Sequence, residues 1–204
     1  MRILVVNDYV DQAKYAEAMD NLCARVKDMS RDPVERVSYE SFGPEFVRNE
    51  TGRFDAVVLS GSEALYSKLE DRLKFQKAIE GTRSLTLPVL GICGGHQLLA
   101  MAHGVNIVDM GRALRDYYEV EILGDDPLFD GLERRILVRE SHREMVERLP
   151  KGFLLLAKSR DTPIEAMKRE KGIVYGVQFH PERYDEAHPA GEVILANFAR
   201  LVKR

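Results

Sequence analysis

Cys93 stands at the centre of PVLGICGGHQLLA (88–100), with Gly91 before it and Gly94 and Gly95 after it. A short apolar run leads in and a helix-like pattern leads out. A strand that turns straight into a helix bends sharply, and small neighbours relieve the crowding. A cysteine at such a corner meets three needs of a nucleophile. It projects from the end of a sheet, a helix N-terminus favours its thiolate, and the following N–H, that of Gly94, is available to a developing oxyanion. The bland alternative is a small buried residue in a tight turn.

A thiol nucleophile needs a base, and the chain offers five histidines: His96, His103, His142, His180 and His188. His180, in YGVQFHPER, directly follows an apolar strand pattern, and ligands gather at such strand ends in parallel sheets. Glu182 comes two residues later, with Pro181 restricting the backbone between them. A carboxylate there can hold the imidazole's tautomer and orientation, as the third member of a triad does. His96 reads as structural, His103 as a helix C-terminal residue and His188 as an exposed loop residue.

Alternating elements must position these groups. RILVV (2–6), VERVSYESF (34–42), FDAVVLSG (54–61) and LPVLGI (87–92) read as strands. Helical spacing marks 11–29 through Tyr15, Met19, Leu22, Cys23 and Val26, which makes Cys23 a core residue. Leu65, Leu69 and Leu73 mark a second helix ending near Gly81, and 94–102 a third, capped by Gly104. After residue 105 come short strand-like runs: VNIV, YYEVEIL, RILV, FLLLA, PIEAM and IVYGVQF. A last helix spans 190–204, with Lys203 and Arg204 where its dipole favours cations. The expectation is an α/β fold, a mostly parallel sheet flanked by helices with a small antiparallel extension, in one domain over 1–204.

Composition narrows the function classes. The chain has 204 residues, 45% hydrophobic, and a formal charge of −3 with the signs well mixed, so neither a nucleic-acid nor a membrane partner is expected. MRILVVND is too short an apolar run for a secretory or membrane segment, and two distant cysteines make no disulfide framework, so a cytoplasmic protein is expected. Asp125–Asp126 lacks a third ligand and reads as a turn. With no G-x-x-x-x-G-K-[ST] loop and no metal set, no cofactor and no metal are expected.

GICGGHQ (91–97) together with GVQFHPE (176–182) resembles the class I glutamine amidotransferases. ESHREMVERLP (140–150), SRDTPIEAMKRE (159–170) and VYGVQFHPE (174–182) look most like the amidotransferase subunit of two-subunit GMP synthases. The resemblance implies a flavodoxin-like fold and hydrolysis of L-glutamine through a glutamyl thioester. In it Cys93 attacks the amide, His180 shuttles protons and Glu182 orients His180. Gln97 would contact the glutamine, and the backbone around Ser141, His142 and Arg143 would recognise its α-groups. Gly61 and Ser62, in LSGSEALY (59–66), would complete the oxyanion hole with Gly94. That loop reads Gly-Ser-Glu where the family reads Gly-Gly-Pro, and Gly94 stands where larger apolar residues are common. No Ser-Gly-Gly-x-Asp-Ser stretch for activating a nucleotide is present. An ammonia-accepting synthetase partner, a GMP synthase ATP pyrophosphatase, is therefore implied. A stand-alone γ-glutamyl amide or peptide hydrolase and a non-catalytic binding protein on the same fold are the alternatives.

Overall fold

The computed structural model describes residues 1–30 and 33–203. In chain order the elements are β1 (Ile3–Asn7), α1 (Ala16–Ser30), β2 (Val34–Ser38), α2 (Pro44–Glu50), β3 (Ala56–Leu59), α3 (Leu69–Lys74), α4 (Gln76–Arg83), β4 (Val89–Ile92), α5 (Gly94–Ala102), β5 (Ile107–Leu114), β6 (Tyr117–Ile122), β7 (Arg135–Arg139), β8 (His142–Val146), β9 (Phe153–Lys158), β10 (Ala166–Arg169), β11 (Val174–Val177) and α6 (Ala190–Val202).

A nine-stranded sheet runs in the order β2-β1-β3-β4-β11-β10-β9-β6-β7. The pairs from β2 to β11 are parallel, and those from β11 to β7 are antiparallel. The antiparallel part is thus a continuation of the main sheet, joined by a separate β5–β8 ribbon. Every residue of β3, β4 and β11 is buried, as apolar runs covered on both faces require. Alternate residues serve opposite layers. Ile3, Val5, Val58 and Ile92 pack with Met19 and Leu22 of α1 and Ile194 and Phe198 of α6. Leu4, Val6, Val57 and Leu59 pack with Val47 of α2, Ala78 of α4 and Leu98 of α5.

Two helices differ from the sequence reading, and β2 stops at Ser38, short of the expected Phe42. The first helix begins at Ala16 rather than at Asp11. The Asp11 carboxylate accepts from the Lys14 N–H at 3.0 Å and turns the chain instead. The leucine-marked helix is two helices that meet at Phe75, which is buried, whereas Leu69 and Leu73 point to solvent. Two further elements, α2 and β8, carry weaker signals. Pro44 at the first helical turn announces α2, while buried His142 and Glu144 disguise the alternation of β8. The terminal helix is present, and Arg204 lies outside the described residues. Gly104 closes α5 with φ 76°. No helix among the described residues is long and apolar enough to cross a membrane.

Candidate active site

Cys93 joins β4 to α5 with φ 49° and ψ −100°. It is the one non-glycine residue with positive φ among the described residues. An L-residue held there is strained, so the surroundings must impose the conformation. Two contacts do so. The Cys93 N–H donates to the Val177 carbonyl at 2.8 Å, which extends the β4–β11 ladder one residue past Ile92. The Gly95 N–H donates to the Ser60 carbonyl at 2.8 Å. A Cβ on Gly95 would lie 2.5 Å from the Leu59 carbonyl oxygen, so only glycine lets α5 start so close to β3.

His180 lies just beyond β11, beside Cys93. A single 3-10 turn, Pro181–Arg183, brings Glu182 back under the ring. Its Oε1 sits 2.7 Å from His180 Nδ1. A carboxylate only accepts, so Nδ1 carries a proton and Nε2 is the atom left to exchange protons with sulfur. Both side chains are buried. Burial pulls the His180 pKa down, but the charges of Glu182 and Cys93 outweigh it and raise the value to about 9. Burial raises the Glu182 pKa, but its contact with His180 outweighs this and the net shift is downward.

The loop after β3 crosses directly above the elbow. The Ser60 hydroxyl accepts from the Asp8 N–H at 2.9 Å and donates to the Gly61 carbonyl at 2.8 Å. In a trans peptide this turns the Ser62 N–H the opposite way. A Cβ on Gly94 would sit 2.7 Å from the Ser62 nitrogen, so the start of α5 packs against the Gly61–Ser62 peptide, and neither the Ser62 nor the Gly94 N–H has a hydrogen-bond partner among the described residues. Gly61 is also crowded, though less so, since its Cβ would meet Tyr9 Oη at 3.0 Å and His180 Cε1 at 3.1 Å. Glu63, where the family pattern has proline, accepts from the backbone N–H groups of Val10 and Asp11 at 3.1 and 2.7 Å. It ties this loop to the segment that carries Tyr9, whose ring stacks on Tyr15 with centroids 4.5 Å apart.

These groups open onto a cavity of about 590 Å³, lined also by Gln97, Ser141, His142, Arg143 and Glu144. Of the site residues expected from the sequence, Ser62, Cys93, Gln97, Ser141, His142, Arg143 and His180 line it, whereas Gly61, Gly94 and Glu182 do not. Gln97 Nε2 donates to the Glu144 carbonyl at 2.8 Å and to Gln178 Oε1 at 3.2 Å. The Arg143 guanidinium turns to Asp109, at 3.0 and 3.1 Å. His96 lies beneath, fully buried and neutral, because burial lowers its pKa to about 3. His188, expected in solvent, instead stacks on Tyr117 at 3.6 Å and meets Asp185 at 2.9 Å. The Asp126 carboxylate caps a short turn through the Leu128 N–H, at 2.9 Å, and pairs with Lys168.

Sequence reading missed Gln178, whose Nε2 donates to Cys93 Sγ at 3.8 Å. Its position inside GVQFHPE was the available signal. It also gave no site role to Tyr9 or Glu63, and it read Tyr15 as part of a helical stripe rather than as a residue of the cavity wall.

A sequence model of the family described as "Glutamine amidotransferase class-I" matches residues 14–201. The chain is 41% identical over 160 residues to a glutamine-hydrolyzing GMP synthase subunit of Pyrococcus abyssi, covering 77% of this chain and 84% of that protein. To the corresponding GMP synthase subunit of Sulfolobus acidocaldarius it is 33% identical over 180 residues, covering 88% and 92%. Among solved structures, a glutamine amidotransferase from Thermotoga maritima superposes with a TM-score of 0.73 at 18% identity, covering 100% of this chain and 99% of that one. A strand-to-helix cysteine beside a His–Glu pair, on this sheet order and with these relatives, makes the chain a member of the class I glutamine amidotransferase family.

Proposed function

We propose that residues 1–204 form one glutaminase domain in which Cys93, His180 and Glu182 act as a triad, and that it supplies ammonia to the nucleotide-activating partner in a GMP synthase. The observation that carries the reading is the strained elbow cysteine facing a buried His180–Glu182 pair across one cavity.

The chemistry follows from the positions. With His180 protonated, the Cys93 sulfur attacks the side-chain carbonyl carbon of L-glutamine, and the oxygen gains the negative charge. The N–H groups of Gly94 and Ser62 would hold that oxygen, with Gly61 allowing the loop its close approach. His180 gives its proton to the departing nitrogen, and ammonia leaves a glutamyl thioester on Cys93. Neutral His180 then takes a proton from water as the water attacks the thioester. Thiolate and imidazolium return, and glutamate departs. Glu182 keeps the ring in one orientation throughout. The backbone of Ser141, His142 and Arg143, with Gln97, forms the wall for the α-amino and carboxylate groups. No step uses a metal or cofactor.

Gly94 tests the hole. A Cβ there would also lie 2.7 Å from the Ser62 Cβ. Gly94→Ala should displace the 60–63 loop and lower kcat by about 10²-fold, the weight of one oxyanion donor. Its KM for glutamine should change little. A kcat equal to the native value would remove Ser62 and Gly94 from the mechanism.

The relatives' description as subunits of a glutamine-hydrolyzing GMP synthase supports a partner that consumes the ammonia, and a cytoplasmic location accords with such nucleotide synthesis. The decisive measurement is glutamate release by the isolated chain, and again with the synthetase partner and its nucleotide substrates. Turnover should be weak alone and rise at least tenfold, on the order of 1.4 kcal/mol in the barrier, with the loaded partner. Full turnover alone, indifferent to the synthetase, would favour a stand-alone γ-glutamyl hydrolase.

A further inference from the structure

Behind the cavity wall lie two carboxyl groups that the triad does not use. Glu140 and Glu165 are each 0% exposed, and no backbone N–H reaches any of their four oxygens. A buried carboxylate without donors is costly, so these groups are held protonated. Glu140 Oε2 lies 3.0 Å from His142 Nε2. On the other side of that ring, Nδ1 lies 2.9 Å from the Glu144 carbonyl. A carbonyl only accepts, so Nδ1 carries the ring proton and Nε2 presents a lone pair. Two bare acceptor atoms 3.0 Å apart repel, so a proton is required between them, and the protonated Glu140 carboxyl is the group that can supply it. The same Glu144 carbonyl receives Gln97 Nε2, which also holds Gln178, whose amide reaches Cys93. A line of close polar contacts thus runs from the buried acids to the substrate wall and Cys93.

We propose that Glu140, backed by Glu165, is a positioning residue: as a protonated donor it fixes the Nδ1–H tautomer of His142, and so holds the Glu144 carbonyl and the Ser141–Arg143 wall in their glutamine-binding shape. The inference rests on the glutaminase reading above.

Few other charges bear on Glu140. Glu165, from the approach to β10, faces it and itself meets the Ser159 hydroxyl. His142 comes from β8, and burial lowers its pKa. His96, from α5, is neutral. Arg139 at the end of β7 turns away to Asp116, and Arg143 to Asp109. The Glu144 carboxylate is taken by the Ser67 N–H at 3.2 Å. No cation among the described residues compensates the acid, and burial pushes the Glu140 pKa up to about 8. As pH rises through that value the donor becomes a carboxylate facing a lone pair. The ring must then move its proton to Nε2, and the bond to the Glu144 carbonyl is lost.

The test is glutamine affinity of the Cys93→Ala chain, measured calorimetrically from about pH 6.5 to about pH 9.5, with Glu140 and with Glu140→Gln. Across the Glu140 transition near pH 8, the Glu140 chain should weaken by about fivefold more than the Glu140→Gln chain, the weight of one net hydrogen bond. The glutamine amide keeps an N–H donor at every pH, and Glu140→Ala should bind weakly throughout. The inference is overturned if Glu140→Gln follows the Glu140 profile, or if it binds as weakly as Glu140→Ala. A second measurement needs no substitution at this site. Long-range ¹H–¹⁵N NMR should find the His142 proton on Nδ1 near neutral pH and on Nε2 above about pH 9. A proton on Nε2 at neutral pH overturns the inference. A folded Cys93→Ala chain that binds no glutamine at any pH overturns the glutaminase reading, and this inference with it.

Discussion

Glycine in place of Cys93 should give a chain that hydrolyses no glutamine yet melts higher than the alanine variant. Both substitutions remove the sulfur, and no other thiol reaches the cavity, since Cys23 is buried on α1. Loss of a nucleophile costs at least about 10⁴-fold in kcat. The two differ in the backbone. Residue 93 must keep φ 49° and ψ −100° because its N–H is fixed to Val177 and the next turn is fixed to Ser60. Alanine there keeps the steric cost of a Cβ, whereas glycine does not. The difference should be on the order of 1–2 kcal/mol in favour of glycine, read by chemical denaturation at one pH. Equal stability of the two variants would mean that the elbow is unstrained. Residual turnover in both would mean that another group attacks the amide.

Glu182→Gln should lower kcat by about 10²- to 10⁴-fold with little change in fold. The amide fills the same space, but it can present either its oxygen or its nitrogen to Nδ1, and it carries no charge. Three opposing influences set the His180 pKa of about 9: burial lowers it, while Glu182 and Cys93 raise it. Without the carboxylate, burial gains weight and the value falls. The active pair of thiolate and imidazolium should then be lost at lower pH, and the alkaline limb of kcat/KM should move down.

Stability should follow the same sign. His180 binds its proton more tightly folded than unfolded, so its contribution is complete below its ordinary pKa of 6.5 and is lost as pH rises toward about 9. Glu182, shifted downward, contributes above its ordinary 4.5 and loses this contribution as pH falls. The native chain should therefore exceed Glu182→Gln most between those two values, and the gap should narrow toward pH 9. A native kcat in Glu182→Gln, or a gap that ignores pH, would mean that Glu182 does not orient the ring.

The local parts of this site were legible because they obey short-range rules. Three glycines around one cysteine between a strand and a helix can be read from sequence, as can a histidine two residues before a glutamate. What was hidden depends on long-range pairing or on polar groups in unusual places. The Glu63 clamp joins residues 52 positions apart, and nothing local to either segment announces it. Glu140 and Glu144 look like surface residues of a polar stretch, and their burial follows from β8 pairing with β5 under α5. The start of α1 was misplaced for a related reason. Residues 11–15 have helix-compatible spacing, but tertiary hydrogen bonds at Asp11 and Gln12 hold the segment as a loop. Exposed Leu69 and Leu73 show the converse error, since apolar spacing alone does not say which way a helix faces.

The ladder between β4 and β11 also bears on how such proteins can vary. Ile92 pairs with Val177, and the Cys93 N–H extends that pairing, so Cys93 and His180 are set by neighbouring strands rather than by the chain connecting them. The intervening loops can be lengthened, shortened or exchanged without moving sulfur from imidazole, provided the ladder and its flanking helices stay intact. The Gly124–Asp125 bend, far along the sheet from the elbow, is one place for such a change. A binding tag or a new docking loop grafted there would alter what the protein meets while leaving what it does to the bond untouched.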